Sequence, residues 1–469
     1  METVIHKEAK PEVKMQPKSI PKLKFREKLT FGIGDFGSNF SWSFIAMFAT
    51  IYLTDTVGLS AGILGTIFLI CRVFDGIADI FIGTLIDKTN TKMGKAKPWV
   101  FWTTPPLAIA TFLLFNVPSS LGSTGQIVYV FVLYFLVAAV FYTSNNVAYG
   151  ALTSFMTTDS KDRVSLGSYR FILAILAVLV ISSFTTVLVH DFGSGQRGWT
   201  ITAAIYSIVC AIPLMITGWF IKERNVSDNA GHAQNISLWL TIKVLFSNKY
   251  FLIAIIMFLL MYLAQTRTSV QIYYVTYIFK RPDLMGVIAL AGMLPIIIGL
   301  MFASQIVGKF GLRKSILGGQ IIVAIGTIAM GIYSENLTMF IVSSVIASIG
   351  SVTLSAGIYA IVADVGDLVF WKSGVPVQGA VFSLTSVGLK IGTGLASALV
   401  GWILAYTKYV PNANVQPDSA IIGIKFLYIY FPLICTVATA IAVVFLNHEK
   451  LMPRIREEIS LGQVGKNRK

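Results

Sequence analysis

The sequence predicts an all-α membrane protein of twelve transmembrane helices, arranged as two pseudo-symmetric six-helix halves. Three observations lead there. Hydrophobic residues make up 55% of the 469 residues and charged residues 13%, where a soluble domain averages roughly 25% charged. The apolar residues gather in runs of the ~20 residues that cross a bilayer as a helix. The basic residues, which bring the formal charge to +15, collect in the two tails and in alternate loops, as retention of positive charge in the cytoplasm predicts.

Taken in order, residues 1–28 form a tail with eight Lys/Arg and four Glu, too long and too charged for a signal peptide. Its lysines suit anionic headgroups or plain topology anchoring. Spans 1 to 6 lie at 29–53, 60–86, 98–117, 126–152, 168–189 and 200–221. The longest internal polar stretch, 222–249, is a central cytoplasmic loop. Spans 7 to 12 follow at 250–278, 286–307, 314–333, 338–363, 379–406 and 423–446, and a short basic tail at 447–469 closes the chain. Loops on the side of the tails hold Lys88 to Lys97 after span 2, Lys161 and Arg163 after span 4, Lys222 and Arg224 after span 6, and Lys309, Arg313 and Lys314 after span 8. Opposite loops hold only Arg197, Lys280, Arg281 and Lys408. Both termini are therefore expected in the cytoplasm, with the protein multi-pass in the inner membrane.

This placement of charge argues against nucleic acid as a partner; lipid is the partner it implies. The three cysteines (Cys71, Cys210, Cys435) lie in apolar runs without metal-ligand spacing, and the four histidines lie in tails or loops. No metal or nucleophilic constellation is visible, so neither an enzyme nor a bound cofactor is expected. The loop after span 2 ends in Gly94-Lys95, and the loop after span 8 reads Gly308-Lys309-Phe310-Gly311-Leu312-Arg313-Lys314. Short Gly/basic loops at equivalent places suggest a duplicated six-helix unit, the organisation of major facilitator transporters.

A charge inside the bilayer is costly and marks function or a structural pair. On span 2, at 100° per residue, Arg72, Asp75 and Asp79 fall within about 60° of one another. That stripe must face the bundle interior or a water-filled cavity. Two carboxylates one turn apart form a cation site, or one takes a proton because its neighbour is also an anion; a triad that locks helices is the alternative. Asn39, Asn145, Asn146, Arg170, Arg267, Gln271 and Lys390 give the spans a polar, donor-rich interior suited to sugar hydroxyls. Trp42, Tyr142, Tyr149, Tyr273 and Tyr274 offer rings that can stack on a pyranose, or are membrane aromatics with no such role. Asp35 in span 1 admits no assignment from sequence.

The segment RVFDGIADIFIGTLIDKTNTKMGKAKPW at 72–99 resembles the glycoside–pentoside–hexuronide:cation symporter family of the major facilitator superfamily. Further matches are GDFGSNF at 34–40, TDTVGLS at 54–60, SYRF at 168–171, IYYVTYIF at 272–279, VADVGD at 362–367 and LKIG at 389–392. The resemblance covers about residues 25 to 450. It implies a major facilitator fold and a cation-coupled symporter of glycosides working by alternating access. It places Asp75 and Asp79 on the family's cation-site carboxylates, with Thr143 and Lys390 beside them, and Arg170 on its sugar-binding arginine. Asn39 and Asn146 stand where melibiose-type members carry acids, and Gly150 where they carry a stacking tryptophan. A glucuronide or pentoside, as in the glucuronide and isoprimeverose branches, is thus expected ahead of a melibiose-type galactoside. Pro376 and Gln378 depart from the family's usual Arg and Glu.

Ala78 replaces an Asn that helps surround sodium in melibiose-type members. Sodium needs a fuller oxygen shell than a proton does, so H+ is expected ahead of Na+ as coupling ion. Arg267 has no counterpart in those members; it either pairs with a substrate carboxylate or is a snorkelling or structurally paired arginine. The expected sugar contacts are therefore Asn39, Asn146, Tyr149, Arg170 and Arg267. Asp87, Lys95, Asp364 and Asp367 are assigned to closing contacts between loops. The expected working unit is a monomer. A major facilitator transporter of amphiphiles such as lysolipids or drugs is the alternative, which the Asn- and Gln-bearing interior disfavours.

Overall fold

The computed structural model describes residues 22–157, 159–224, 243–375, 377–461 and 464, and among these the chain is helical with no strand. The first half comprises α1 (Phe25–Ile51), α2 (Ala61–Lys88), α3 (Lys97–Leu114), α4 (Ser123–Phe135), α5 (Thr143–Met156), α6 (Ser160–Asp191) and α7 (Gly195–Phe220). A π-turn over Tyr52–Thr56 extends α1, and another over Leu136–Tyr142 joins α4 and α5 into one rod. The second half comprises α8 (Lys249–Leu263) and α9 (Thr266–Tyr277), then α10 (Met285–Phe310), α11 (Leu312–Ile332), α12 (Leu337–Ser373) and α13 (Gln378–Tyr406). Its last rod is α14 (Asp418–Lys425) and α15 (Phe431–Val444), joined by a π-turn over Phe426–Tyr430.

Ten of these rods are long and apolar enough to cross a membrane. The other two expected spans, α1 and α3, fall short on composition yet pack inside the same bundle, α1 against α6 and α7 and α3 against α7. The shortfall in α1 has a physical cause. It buries Asp35, Ser38, Ser41 and Ser43 against its neighbours, so its polar residues face protein rather than lipid.

The duplication is visible in backbone capping. The Glu223 carboxylate, just past α7, accepts the N–H groups of Lys95 at 2.7 Å, Ala96 at 2.9 Å and Lys97 at 2.8 Å, which start α3. Glu449, just past α15, accepts those of Leu312 at 2.7 Å and Arg313 at 3.1 Å, which start α11. Each carboxylate satisfies donors that a helix start leaves unpaired. Gly94 (φ +118°) and Gly311 (φ +81°) lie against these carboxylates, where a Cβ would come within 2.5 Å of Glu223 and 2.8 Å of Glu449. Glycine is required at both by its backbone angle and by the close approach.

The halves meet along α2 and α13, α6 and α10, and α1 and α9. A Cβ on Gly65 would lie 2.7 Å from the Ala398 carbonyl, so α2 and α13 touch backbone to backbone near the end of the bundle opposite the tails. The Trp402 indole N–H donates to Thr66 at 3.1 Å on the same seam. Leu404 and the segment Val270–Val275 carry the first half's apolar core across into the second.

The chain after Asn447 is more than the basic tail expected. Met452–Ser460 forms α16, which packs on α12 with Met452 and Ile455 buried. The 37 residues of α12 span about 55 Å at 1.5 Å per residue, well beyond a ~30 Å hydrocarbon core. Its projecting end carries Asp364 and Asp367, assigned from sequence to loop closure. Here Arg456 of α16 lies 2.7 Å from Asp364 and 3.9 Å from Asp367, so both face their own half's C-terminal helix. Asp87 ends α2, but its side chain lies outside the described residues, as do Pro376 and the Gln378 side chain.

Candidate functional site

The α2 stripe meets the second half through one lysine. Lys390 of α13 donates from Nζ to Asp75 Oδ1 at 2.7 Å and to the Asp75 carbonyl at 3.0 Å, and it lies 2.6 Å from Asp79 Oδ2. Arg72 Nη1 donates to Asp75 Oδ2 at 3.1 Å. The stripe alone holds two anions against one cation; Lys390 balances it. Asp75 is 3% exposed, which an anion tolerates only with such partners. The Asp79 side chain keeps 30% of its surface open.

The π-turn between α4 and α5 sets the next contact. Such a turn carries one residue more than an α-turn and recurs at functional sites. It brings the Thr143 hydroxyl to 2.7 Å from the Ala138 carbonyl, five residues earlier, and into hydrogen-bond contact with Asp75 Oδ1. Asp75, Asp79, Thr143 and Lys390 thus converge on one place. The Arg72 guanidinium lies 3.8 Å from the Trp42 ring centre, and Trp42 stacks on Tyr142, the neighbour of Thr143, at 4.8 Å. Arg72 Nε is buried without a partner among the described residues. No group of three or more His, Cys, Asp or Glu converges on a metal position among the described residues.

A second cluster forms on α1, α5 and α6. Arg170 Nε donates to Asp35 Oδ1 at 3.1 Å and Nη2 donates to Asn146 Oδ1 at 3.2 Å. Asn39, one turn beyond Asp35, donates from Nδ2 to the Asp35 carbonyl at 2.8 Å and accepts the Ser43 hydroxyl at 2.7 Å. Tyr149 sits beneath Arg170, 5.0 Å from its guanidinium, but it is 1% exposed. Its ring stacks on Phe31 at 4.6 Å and its hydroxyl donates to the Phe31 carbonyl. It supports the arginine and presents no open face, contrary to the expectation of a stacking surface. Asn145 is also structural: its amide donates to Val100, Thr103 and Thr104 and ties α5 to α3.

Arg267 does not join either cluster. It stands just after the interruption between α8 and α9, where Thr266 donates to the Leu427 carbonyl at 3.0 Å and Arg267 Nε to the Tyr428 carbonyl at 3.1 Å. Both carbonyls belong to the π-turn over Phe426–Tyr430. Nη2 reaches Thr327 on α11 at 3.5 Å, and the guanidinium lies 5.5 Å from the Tyr428 ring centre. The break in one rod and the bulge in the other are joined by this arginine, the structural of its two readings.

Two features escaped the sequence. Asp35 is the acid partner of Arg170; its signal was a carboxylate one turn before Asn39 inside GDFGSNF, together with a lone buried arginine in need of an anion. Asp55, at the end of α1's π-turn, accepts the hydroxyls of Tyr277 at 2.5 Å and Tyr409 at 2.7 and 2.8 Å; those two hydroxyls are 2.8 Å apart. The Asn412 amide donates to the Asp55 carbonyl, and the Thr54 and Tyr273 hydroxyls lie 3.0 Å apart. This clasp joins the halves at the end opposite the tails. An acid beside an interleaved run of tyrosines was its only signal.

The family described as MFS/sugar transport protein matches residues 30–450. The putative glycoside/cation symporter YagG of Escherichia coli (strain K12) is 30% identical over 88% of this chain and 89% of its own. The isoprimeverose transporter of Lactiplantibacillus pentosus is 28% identical over 92% and 91%. Among solved structures, the nucleoside transporter NupG superposes with a TM-score of 0.64 at 13% identity, over 90% of this chain and all of that one, a likeness of fold alone.

Proposed function

Because the chain belongs to the MFS/sugar transport protein family and is a multi-pass transporter rather than an enzyme, we propose that it imports a glycoside by symport with a cation. The reading rests above all on Lys390, whose ammonium joins Asp75 and Asp79 across the two halves. A cation that arrives at these carboxylates competes with that ammonium. Binding there therefore loosens a tie between halves, which is how a ligand biases a conformational equilibrium. The relatives' printed names, a glycoside/cation symporter and an isoprimeverose transporter, support the same class of substrate and coupling.

The coupling ion is H+ ahead of Na+. Ala78 offers no side-chain oxygen beside the two carboxylates, and one proton on the open Asp79 is enough to release Lys390 from it. The sugar sits against Arg170, Asn146 and Asn39, and Tyr149 and Asp35 hold the arginine in place. With asparagine at both positions that carry acids in melibiose-type members, a pentoside or glucuronide fits ahead of a galactoside. The tail-side excess of Lys and Arg puts both termini in the cytoplasm of a bacterial inner membrane, so the Asp55 clasp closes the outer end. No contact in this reading requires a second subunit.

Counterflow in proteoliposomes tests it, with neutral and acidic glycosides offered with and without sodium. Proton-driven accumulation of a glycoside that Asp75→Asn abolishes is the expected result. Movement of lysolipid or drug with no glycoside exchange would overturn the function and leave the fold standing.

A further inference from the structure

A hollow of about 590 Å³ lies on the tail side of the second half, between the start of α8 and the end of α12. Lys243, Lys249 and Lys372 line it, and none of the described residues around it is acidic. None of the three ammoniums pairs with a carboxylate among the described residues. Three like charges on one hollow repel one another, and a shared anion relieves that repulsion.

The helices themselves do not account for the charge. Lys372 stands in the last turn of α12, where a cation balances the carbonyl end of the helix. Lys249, by contrast, is the first residue of α8, where the positive end of the helix disfavours it. The Asn248 side chain already accepts the N–H groups of Tyr250 at 2.9 Å and Phe251 at 3.4 Å. An anion in the hollow would therefore answer to the ammoniums and not to the helix start.

The neighbouring surface says which anion fits. Leu252 and Ile256, 38% and 47% exposed, continue the Lys249 face of α8 three and seven residues on. Phe246, one residue before the lining Ser247, is 47% exposed. Since α8 begins a rod that is long and apolar enough to cross a membrane, this stripe faces lipid and ends in a cation where the span begins. An acyl chain can follow the stripe while its phosphate reaches the hollow, as anionic headgroups do in basic pockets between membrane helices. A soluble phosphate would meet the ammoniums but gain nothing from the stripe.

We propose that this hollow binds the headgroup of an anionic glycerophospholipid, with its phosphate held by Lys243, Lys249 and Lys372. The bound lipid ties the start of α8 to the end of α12. The site stands apart from the sugar and cation clusters and does not depend on the symport reading.

Native mass spectrometry of the full chain in a maltoside detergent tests it, by titration with phosphatidylglycerol or phosphatidylcholine of the same acyl chains. The wild type should bind the first phosphatidylglycerol at least about fivefold more tightly than phosphatidylcholine. Lys372→Gln should lose about fivefold in that affinity, the ~1 kcal/mol that one lysine supplies near an anionic surface. The triple variant Lys243→Gln/Lys249→Gln/Lys372→Gln should bind the two lipids alike, and the matching triple Arg variant should keep the preference. Lys88→Gln/Lys92→Gln/Lys222→Gln, which removes as much tail-side charge from the first half, should keep it too. Equal binding of both lipids by the wild type overturns the proposal. So does an equal loss in the first-half variant, which would make the preference one of net charge. Inorganic phosphate or glycerol 3-phosphate that displaces phosphatidylglycerol at equal concentration would assign the hollow to a soluble anion and overturn the lipid.

Discussion

Lys390 and Asp79 belong to different halves, yet their charged atoms are 2.6 Å apart, and the same ammonium holds Asp75 at 2.7 Å. One tethered cation thus occupies the place that the proposed coupling ion would share. Lys390→Met should leave Asp79 without its cation and Asp75 with Arg72 as its remaining one, at a cost of at most the about 3–5 kcal/mol typical of a broken buried pair. Thermal unfolding in detergent measures the loss. A variant as stable as the parent would show that the cluster does not depend on its lysine. Asp79→Asn, which keeps Asp75 paired, should retain glycoside exchange but lose cation-driven accumulation.

Tyr409→Phe removes the hydroxyl that donates to the Asp55 carboxylate and touches Tyr277. Hydrogen bonds to charged groups are worth about 1.5–3 kcal/mol, so the form open at this end should gain roughly tenfold or more in population. Thiol labelling of a cysteine introduced at Thr276, which lines the hollow beside Asp55, reports that opening. Labelling no faster than in the Thr276→Cys parent would remove the clasp from the gating scheme.

Arg267→Gln should leave the ranking of glycosides unchanged. It should lower stability by about 1–3 kcal/mol, the cost of leaving a buried carbonyl unsatisfied. A selective loss of acidic-glycoside transport at unchanged stability would favour the substrate-carboxylate reading instead.

Glu449→Gln and Glu223→Gln should each destabilise by about 1 kcal/mol, as loss of a charged helix cap does. The two should add, because the sites lie in separate halves. Chemical denaturation of both single variants and the double variant checks the magnitude and the additivity.

Asp162, at the tail-side start of α6, accepts the Leu23 N–H at 3.0 Å and lies 2.7 Å from Lys28. These two contacts hold its carboxyl below the ordinary value, near 3.9 in an unfolded chain. A lowered folded-state pKa contributes stability that is present above the unfolded value and lost as pH falls through the folded one. Docking of the chain at Leu23 should therefore hold at pH 5 and fail in stronger acid. Cleavage near Leu23 by pepsin, which works in acid, should accelerate there, and tryptic cleavage of Asp162→Asn at Lys22 and Lys24 should be fast already at pH 7.

The spans were legible because bilayer length and hydropathy fix them with little help from the rest of the fold. The charged stripe on α2 was legible because Arg72, Asp75 and Asp79 share one helix face, and periodicity alone shows that. Arg267 was not, because its partners are carbonyls released by a π-turn some 160 residues away, and no side-chain pattern marks such a turn. Whether Tyr149 was a stacking ring or a packed aromatic was not legible, because burial within a bundle depends on the neighbour, here Phe31, and not on the residue. Asp35 lacked a reading until the fold brought Arg170 to it. The helix over Met452–Ser460 is too short to register as a run of membrane length, and Met452 and Ile455 find their apolar partners only on a span that outreaches the bilayer.

The π-turn over Leu136–Tyr142 carries one residue more than an α-helix of the same path needs. Remove one residue from it and everything after it would swing by about 100° and slide by ~1.5 Å relative to what precedes it. Thr143 would then leave Asp75, and Asn146, on the same rod, would leave Arg170. Both clusters are indexed to that single surplus residue, so a deletion there would undo the two together, whereas a point substitution can undo one and spare the other. The link between the two clusters is in this sense written as a count of residues as well as a set of charges.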